Sequence, residues 1–238
     1  SRAVDGSTSA TEWKGFHRAS EHVQILNPPQ GYMQNCNIPP DVMMLDSPLT
    51  PDKSISYIYS DAIYGPPTGW INQRGARALE LLSTDKSVTA QEAIAYILDV
   101  HPAGVERWLK ALKKADEKFG EKYKADPLYQ AGVKDLLSWN GELRRDSTGA
   151  LKYYYWRKQL FEDHGDQKTR ELSKHIDALL TAAGKKIPPK NLTEEHLHML
   201  LASIAPAMAA LQADHRSLDT VYGDKFRVGR GDASWPVG

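Results

Sequence analysis

Cysteine is nearly absent from this sequence, which holds a single one, Cys36, among its 238 residues. One cysteine excludes an intrachain disulfide, and it leaves the redox compartment of the protein open. Cys36 lies between two asparagines, and no general base stands near it in the sequence. A lone cysteine in such a setting is typical of a small buried side chain, because a catalytic thiol needs a neighbouring base.

Excess charge of one sign and long apolar runs are absent as well. The 30 basic and 30 acidic residues give a formal net charge of zero, so the composition favours neither a nucleic acid nor an anionic membrane as a partner. No apolar run approaches the length of a membrane span, and no signal peptide is visible at Ser1. We therefore predict no nucleic-acid partner and no membrane span.

The short motifs of the common enzyme classes are also missing. His196 and His198 are two residues apart, which on a helix directs them to different faces, so they do not form a His-Glu-x-x-His metal pair. Gly229-Arg230-Gly231 has neither the spacing nor the flanking strand and helix of a phosphate-binding loop. A Gly-x-Ser-x-Gly elbow does not occur. Motif search alone therefore yields no complete catalytic set.

Helical spacing of apolar residues dominates the sequence from Trp70 onward. Thr89 and Glu92 form a capping box at the start of one helix, and Pro206 is expected to kink the last helix. The aromatic run 153–156 favours a helix core together with a partner contact over a ligand-binding box. The predicted helices cover 74–83, 89–98, 103–112, 126–137, 150–161, 167–183 and 193–211.

A turn-rich corner precedes the helices. An apolar run at 23–26 reverses direction at Asn27-Pro28-Pro29-Gln30-Gly31, which predicts a small β-hairpin. Its returning half ends in three amide side chains, Gln34, Asn35 and Asn37, and strand ends are where binding and catalytic sites are often built. An asparagine amide is a good oxyanion donor, worth about 3 kcal/mol of transition-state stabilisation. The same asparagines would also serve to cap a turn, and the residues alone leave both interpretations open.

These patterns predict a mainly α fold with a small β-hairpin and long irregular loops. Three segments are expected: 1–69 with the hairpin and a proline-rich loop, 70–216 with the helices, and an irregular return segment at 217–238. A loop as long as 38–69 is usually functional in a compact protein. Because the strand signals are too few for a sheet of usual size, we expect the chain to be part of something larger. Apolar surface should then be exposed where strands are missing.

Several motifs follow one another in an order that is typical of a known enzyme family. The motifs are Glu12-Trp13-Lys14-Gly15, Leu26-Asn27-Pro28-Pro29-Gln30-Gly31-Tyr32, Gln34-Asn35-Cys36-Asn37, 74–82, Ser138-Trp139-Asn140, Asp146-Ser147-Thr148-Gly149-Ala150, Tyr222-Gly223-Asp224 and Pro236-Val237-Gly238. In this order they resemble the β-chain of the penicillin acylase family. Its members are N-terminal-nucleophile amidohydrolases, and they include the acyl-homoserine lactone and cyclic lipopeptide acylases.

The resemblance implies an αββα fold, of which this chain would be a fragment, and a reaction that cleaves an acyl side chain from an amide. In this family a serine at the N-terminus of the β-chain attacks the amide carbonyl, with its own α-amino group as the base. The second asparagine of the Asn-x-Asn pair falls on Asn37 and would donate its side-chain amide to the oxyanion. An arginine at the start of the following helix matches Arg74 and would orient the active site. Arg77 is the alternative if the loop register slips.

The sequence departs from the family pattern at Ser1. Family β-chains begin with serine followed closely by Asn and Trp, whereas Arg2-Ala3-Val4 follows Ser1 here, and the block at Asn27 comes too early. We therefore expect an internal part of the β-chain that lacks the nucleophile and is inactive alone. Its partners would be the remaining β-chain and the α-chain of the same enzyme. The substrate would be a small acylated amide such as an acyl-homoserine lactone, a lipopeptide or a penicillin, which links the family to quorum quenching and antibiotic resistance.

The resemblance implies that no cofactor is required for catalysis. Some family members hold a structural calcium ion, but none of its ligands is transferred to this chain. The family's acylases are exported, which predicts a periplasmic or secreted protein. A second interpretation from another class stays open, in which the chain is a non-catalytic helical scaffold or interaction module that holds a partner with its aromatic run and proline-rich loop.

Overall fold

The computed structural model of the chain describes residues 5–12, 14–16, 18–50, 69–180, 184–230 and 232–237. Within these residues the chain is mainly helical, as the sequence predicts, and two short antiparallel strand pairs accompany the helices. The helices are α1 (Gln73–Thr84), α2 (Ala90–Ile97), α3 (Val105–Phe119), α4 (Pro127–Ser138), α5 (Thr148–Ile176), α6 (Glu194–Ala202), α7 (Ile204–His215) and α8 (Tyr222–Lys225). The strands are β1 (Leu179–Leu180), β2 (Lys186–Ile187), β3 (Arg227–Arg230) and β4 (Ala233–Pro236).

Side-chain caps begin several of these helices where the sequence predicts a start. The side chain of Thr89 accepts a hydrogen bond from the backbone N–H of Glu92, and the Glu92 carboxylate accepts one from the Thr89 N–H, so the predicted capping box of α2 is confirmed. Asp126 caps α4 by accepting from the N–H groups of Leu128 and Tyr129, and Pro127 occupies the first helical turn.

The core is a helical bundle in which α5 and α4 pack against α7 and α3 packs against α6. The aromatic run on α5 faces this core, as predicted, with Tyr155 and Trp156 buried. The ring of Trp156 meets that of Trp108 edge to face at 6.3 Å between centroids. Its indole Nε1 donates to the carbonyl of Leu200 at 2.9 Å. Burial of large aromatic rings dominates the energetics of such a core.

Two of the predicted helices are joined in the structure. The segments 150–161 and 167–183 belong to one element, α5, which changes direction at Gly165, where φ is 72°. Glycine adopts this left-handed conformation without steric cost, so it accommodates the kink. The predicted end of the second segment at Gly184 is wrong, because α5 ends at Ile176 and the chain continues into the β1–β2 hairpin.

The last predicted helix is divided into α6 and α7 at Ser203. Pro206 lies in the first turn of α7, where a missing N–H is tolerated, whereas within a continuous helix it would remove a hydrogen bond to Ala202. Pro206 predicts an interruption of the last helix. This interruption is confirmed at Ser203, three residues before the proline. By length and composition Glu194–His215 would be apolar enough to cross a membrane, but half of this apolar window is buried inside the bundle.

The strand pairs do not occur where the sequence predicts a hairpin. Residues 23–35 form no strand; a turn closes from Gly31 N to the Pro28 carbonyl at 2.9 Å, and the N–H of Gln34 donates to the Met43 carbonyl. The backbone of the segment after the turn therefore bonds to the following loop and does not pair with residues 23–26. The second departure is the C-terminal segment, predicted to be irregular, which contains α8 and the β3–β4 hairpin. The division at 69 and 216 stays a prediction.

His175 near the end of α5 and His196 in the first turn of α6 lie side by side, with 4.3 Å between ring centroids. The Nδ1 atom of His196 accepts a hydrogen bond from the N–H of Thr193 and so completes the capping box of α6. Burial is the main cause that lowers the pKa of His196, and the neighbouring His175 lowers it further. Glu195 and Glu171 act in the opposite direction, but their effects on this pKa are smaller. The folded protein therefore disfavours protonation of this side chain.

Replacing His196 with glutamine is expected to weaken the dependence of stability on pH. Because the folded-state pKa lies below the ordinary value of 6.5, the unfolded chain binds the proton more tightly, and stability is lost as the pH falls through about 6.5. Glutamine retains the capping interaction but does not titrate. Thermal unfolding between about pH 7 and pH 5 should show a smaller loss for the His196→Gln variant. Parallel pH profiles of the two proteins would contradict this role.

Candidate functional site

The predicted amide cluster lies in a tight loop before the first helix. Asn37 adopts the left-handed conformation with a φ of 59°, which asparagine tolerates better than most residues. Its backbone N–H donates to the side-chain Oδ1 of Asn35 at 2.9 Å, two residues earlier. This local bond forms an Asx-type turn that reverses the chain at Cys36. The side chain of Asn37 is exposed at the tip of the turn.

The N-terminus of α1 lies against this turn and brings the two predicted site residues together. The Nη2 atom of Arg74 donates to the side-chain Oδ1 of Asn37 at 2.8 Å and to the carbonyl of Cys36 at 3.2 Å. The residues are 37 positions apart in the sequence, so only the tertiary fold makes this contact. The thiol of Cys36 takes no part in it.

The hydrogen bond from Arg74 determines which way the Asn37 amide faces. A guanidinium group only donates hydrogen bonds, so the atom that it contacts must be the amide oxygen. The Nδ2 atom, which carries the two N–H donors, therefore points away from Arg74. An exposed and oriented N–H donor of this kind is suited to binding a carbonyl oxygen that gains negative charge.

Arg77, the alternative to Arg74 as the active-site arginine, binds two acidic residues instead. Its guanidinium forms two hydrogen bonds of 2.9 Å with the carboxylate of Asp99 and an ion pair of 3.4 Å with Glu80. The hydrogen bond raises the pKa of Arg77 and lowers the pKa of Asp99, so this pair remains charged at neutral pH. Glu80 also accepts from Arg107 at 3.0 Å. Arg77 thus anchors α1 to the loop before α3, and the bond between Glu80 and Arg107 joins α1 to α3 itself.

An open apolar groove of about 860 Å³ begins beside the Arg74 side chain. One wall is α1, with Ala78, Leu81 and Leu82, and the opposite wall is α2, with Ala93 among its lining residues. The volume lies within the range of roughly 300–1,000 Å³ that is common for small-molecule sites. The arrangement joins one oriented polar pair to a long apolar surface.

The turn and α1 are supported by buried packing on their inner side. Ile38 is buried immediately after Asn37, and Val42 and Met44 are fully buried further along the loop. Gly75 lies in the first turn of α1, where an added Cβ would meet the Ile38 side chain at 3.0 Å and that of Ile71 at 3.1 Å. A larger residue at this position would crowd the Ile38 and Ile71 side chains.

The motifs around Trp139, at 146–150 and at 222–224 contact one another rather than the turn. The backbone N–H of Gly223 donates to the carbonyl of Arg145 at 2.8 Å, and that of Tyr222 donates to the carbonyl of Ser147 at 3.0 Å. A Cβ on Gly149 would meet the Trp139 ring at 2.6 Å. These motifs therefore connect the start of α5 to the C-terminal hairpin.

Clusters of histidine, cysteine, aspartate and glutamate side chains commonly bind metal ions in proteins. In the part of the chain that the structure describes, no three of these side chains come close enough to hold an ion. Calcium ligands are therefore not assigned to this chain.

Sequence reasoning did not identify Asn72 as a site residue. Its Nδ2 donates to the Cys36 carbonyl at 2.6 Å, and its Oδ1 accepts from the N–H of Gly75 at 2.8 Å. An asparagine just before a helical pattern is a recognised signal for a helix N-cap, so the second contact was predictable. The first contact depends on where the turn lies in space.

The sequence matches a known protein family. The sequence model described as penicillin amidase matches residues 1–231. This range covers almost all of the 238 residues and includes the turn, α1 and the whole helical bundle.

Proposed function

The chain belongs to the penicillin amidase family, and from this premise we propose that it supplies the oxyanion-binding part of the active site of an amide-cleaving acylase. The observation that carries the proposal is the hydrogen bond from Arg74 to the Asn37 side chain, which directs the amide N–H donors outward. Family membership implies an acylase or amidohydrolase; the roles of the individual residues are our assignment. A non-catalytic scaffold would have no need for this orientation.

The proposed reaction has two steps, and the nucleophile is a serine that we assign to a part of the enzyme outside these residues. Its hydroxyl oxygen bonds to the amide carbonyl carbon while its α-amino group takes the hydroxyl proton. The carbonyl oxygen becomes an oxyanion, the C–N bond then breaks, and the amine leaves with that proton. Water hydrolyses the resulting ester and releases the acid.

Asn37 would act when the carbonyl oxygen carries its negative charge. Its Nδ2 group donates a hydrogen bond without any proton transfer, and the amide is already oriented before substrate binds. A preorganised donor costs no reorganisation during the reaction, so it stabilises the transition state more than the substrate. Arg74 is the residue that preorganises it, and its positive charge increases the polarity of the Asn37 amide.

The groove beside Arg74 supports an aliphatic acyl group as the part of the substrate that the enzyme recognises. Its walls carry apolar side chains such as Leu81 and Ala93. The charged residues that line it, Arg74, Arg77 and Asp99, are engaged in hydrogen bonds to other groups of the chain. An alkyl chain of an acyl-homoserine lactone or a lipopeptide would bury apolar surface along these helices, at about 25 cal/mol per Å². A penicillin with its compact side chain would fill less of the groove.

A partner chain is also part of the proposal. Family membership implies a multi-chain processed enzyme, and two large side chains that do not line the groove are exposed here, Ile94 on α2 at 58% and Leu98 just after α2 at 70%. Apolar side chains exposed to this degree next to one another are typical of a contact surface. We assign the remaining chains of the enzyme to this surface, and we place the enzyme in the periplasm or outside the cell.

Filling the groove is expected to change the preference for acyl-chain length. In the complete processed enzyme, Ala93→Phe would place a ring between α1 and α2, so kcat/KM for a dodecanoyl amide should fall by about tenfold or more. A butanoyl amide, which would not reach this part of the groove, should be cleaved with nearly unchanged kcat/KM. Release of the free amine from both substrates would be measured at several concentrations.

Ala95→Phe is the matched control, because Ala95 is an exposed residue of the same helix that does not line the groove. This variant should retain the chain-length preference of the unmodified enzyme. If Ala93→Phe lowers kcat/KM equally for long and short acyl chains, the groove does not hold the acyl group. If neither amide is cleaved by the unmodified enzyme, the proposed activity itself is wrong.

A further inference from the structure

The contacts of Asn72 point to a second determinant of the geometry at Asn37. One side chain joins two structural elements: its Oδ1 atom caps α1 through the N–H of Gly75, and its Nδ2 atom donates to the carbonyl of Cys36. The two bonds measure 2.8 and 2.6 Å. Helix capping needs only an acceptor, so the bond to Cys36 is additional to the capping role.

The Cys36 carbonyl is the point where the turn is held against the helix. It accepts from Asn72 at 2.6 Å and from Arg74 at 3.2 Å. The next residue is Asn37, whose backbone is in the left-handed conformation. Because Cys36 O belongs to the peptide group that leads into Asn37, a rotation of this peptide would move the Asn37 side chain away from Arg74.

We infer that Asn72 is a positioning residue of the active site, which keeps the peptide between Cys36 and Asn37 in the orientation that presents the Asn37 amide. This inference rests on the proposed function, because it assigns to Asn72 an effect on the reaction that passes through Asn37. Asn72 itself touches neither the nucleophile nor the oxyanion. Its effect should therefore appear in the rate of the chemical step and hardly in substrate binding.

Asn72→Ser tests the inference with little effect on the helix. Serine is as good an N-cap as asparagine, but its side chain is too short to bridge to Cys36 as well. In the complete processed enzyme, kcat should fall about tenfold to hundredfold, as expected for a small displacement of a catalytic group, with KM within a factor of about two. Asn72→Asp, which also retains the cap and lacks the N–H donor, should lower kcat to a similar extent.

Asp126→Ala is the control for a purely structural effect. Asp126 caps α4 through Leu128 and Tyr129, away from the groove and the turn. Its removal should lower the Tm of the enzyme and leave kcat unchanged. If Asn72→Ser lowers the Tm as much as Asp126→Ala does, and kcat recovers at lower temperature, Asn72 only stabilises the helix and the inference is wrong.

Combining Asn72→Ser with Asn37→Ala decides whether Asn72 acts through Asn37. The residual activity of the Asn37→Ala variant would be measured with a reactive p-nitrophenyl ester of the same acid. This activity should not fall further in the double variant, because the effects of substitutions at two residues are not additive when one residue acts through the other. An equal loss in both backgrounds would overturn the inference. A fully active Asn37→Ala variant would refute the proposed function, whereas an inactive Asn37→Ala with a normal Asn72→Ser would refute only the role of Asn72.

Discussion

Replacing Asn37 with alanine in the complete processed enzyme is expected to lower kcat by about 10²- to 10³-fold, the effect of removing one oxyanion donor. Folding and precursor processing should be retained, because the Asn37 side chain is exposed and contributes no core packing. KM should change little, since the hydrogen bond forms mainly in the transition state. Steady-state kinetics with a purified acyl amide, together with the masses of the processed chains, would measure both properties.

Asn37→Asp separates loss of the donor from loss of the contact with Arg74. Aspartate retains an oxygen that accepts from Arg74 but carries no N–H group, so this variant should be as inactive as Asn37→Ala. Asn140→Ala serves as a control, because Asn140 is an exposed asparagine whose amide bonds to Glu142 in a turn between α4 and α5. Normal kcat in Asn37→Asp would remove Asn37 from the oxyanion role.

Replacing Trp156 with alanine should have the largest effect on stability, because this fully buried side chain connects three helices of the bundle. Its ring meets Trp108 of α3 and its Nε1 bonds to the Leu200 carbonyl of α6. Truncation of a buried tryptophan to alanine costs about 3–5 kcal/mol. Amide hydrogen exchange in α3, α5 and α6 of the complete enzyme should therefore be faster by about two to three orders of magnitude.

Phe161→Ala is the matched control on the same helix. Phe161 lies five positions after Trp156, and its side chain is 50% exposed, so its truncation should leave hydrogen exchange in α3 and α6 nearly unchanged. Equal effects of the two substitutions would show that the bundle does not depend on the buried ring. Trp156→Phe should lie between them, because it retains most of the apolar volume and removes the hydrogen bond to Leu200.

The helices demonstrate how much of this fold follows from local sequence. The starts of α2 and α4 depend on caps that lie within three residues of the helix, at Thr89 and Asp126, and such short-range interactions can be recognised in the sequence alone. The interruption before Pro206 follows in the same way, since proline lacks the N–H that a continuous helix requires. The family, too, was recognised from collinear motifs, and the match over 1–231 confirms it.

The hairpins show where local reasoning is insufficient. A turn signal at Asn27 to Gly31 predicts a reversal of the chain, and a turn closes there. It does not determine which backbone groups will pair after the reversal. In the fold, Gln34 bonds to Met43, while β1 pairs with β2 and β3 with β4 in regions where the sequence predicts a helix end and an irregular segment. Strand pairing depends on the neighbours that tertiary packing provides.

In the candidate site, too, some features follow from the sequence and others depend on the tertiary fold. By itself, the sequence determined the chemical groups: an amide at Asn37 and the two candidate arginines, Arg74 and Arg77. Only the tertiary structure decided their contacts, because hydrogen bonds act over about 3 Å, and residues 36 to 38 positions apart come this close only when the fold brings them together. It placed Arg74 on Asn37, held Arg77 against Asp99, and joined Asn72 to the carbonyl of Cys36.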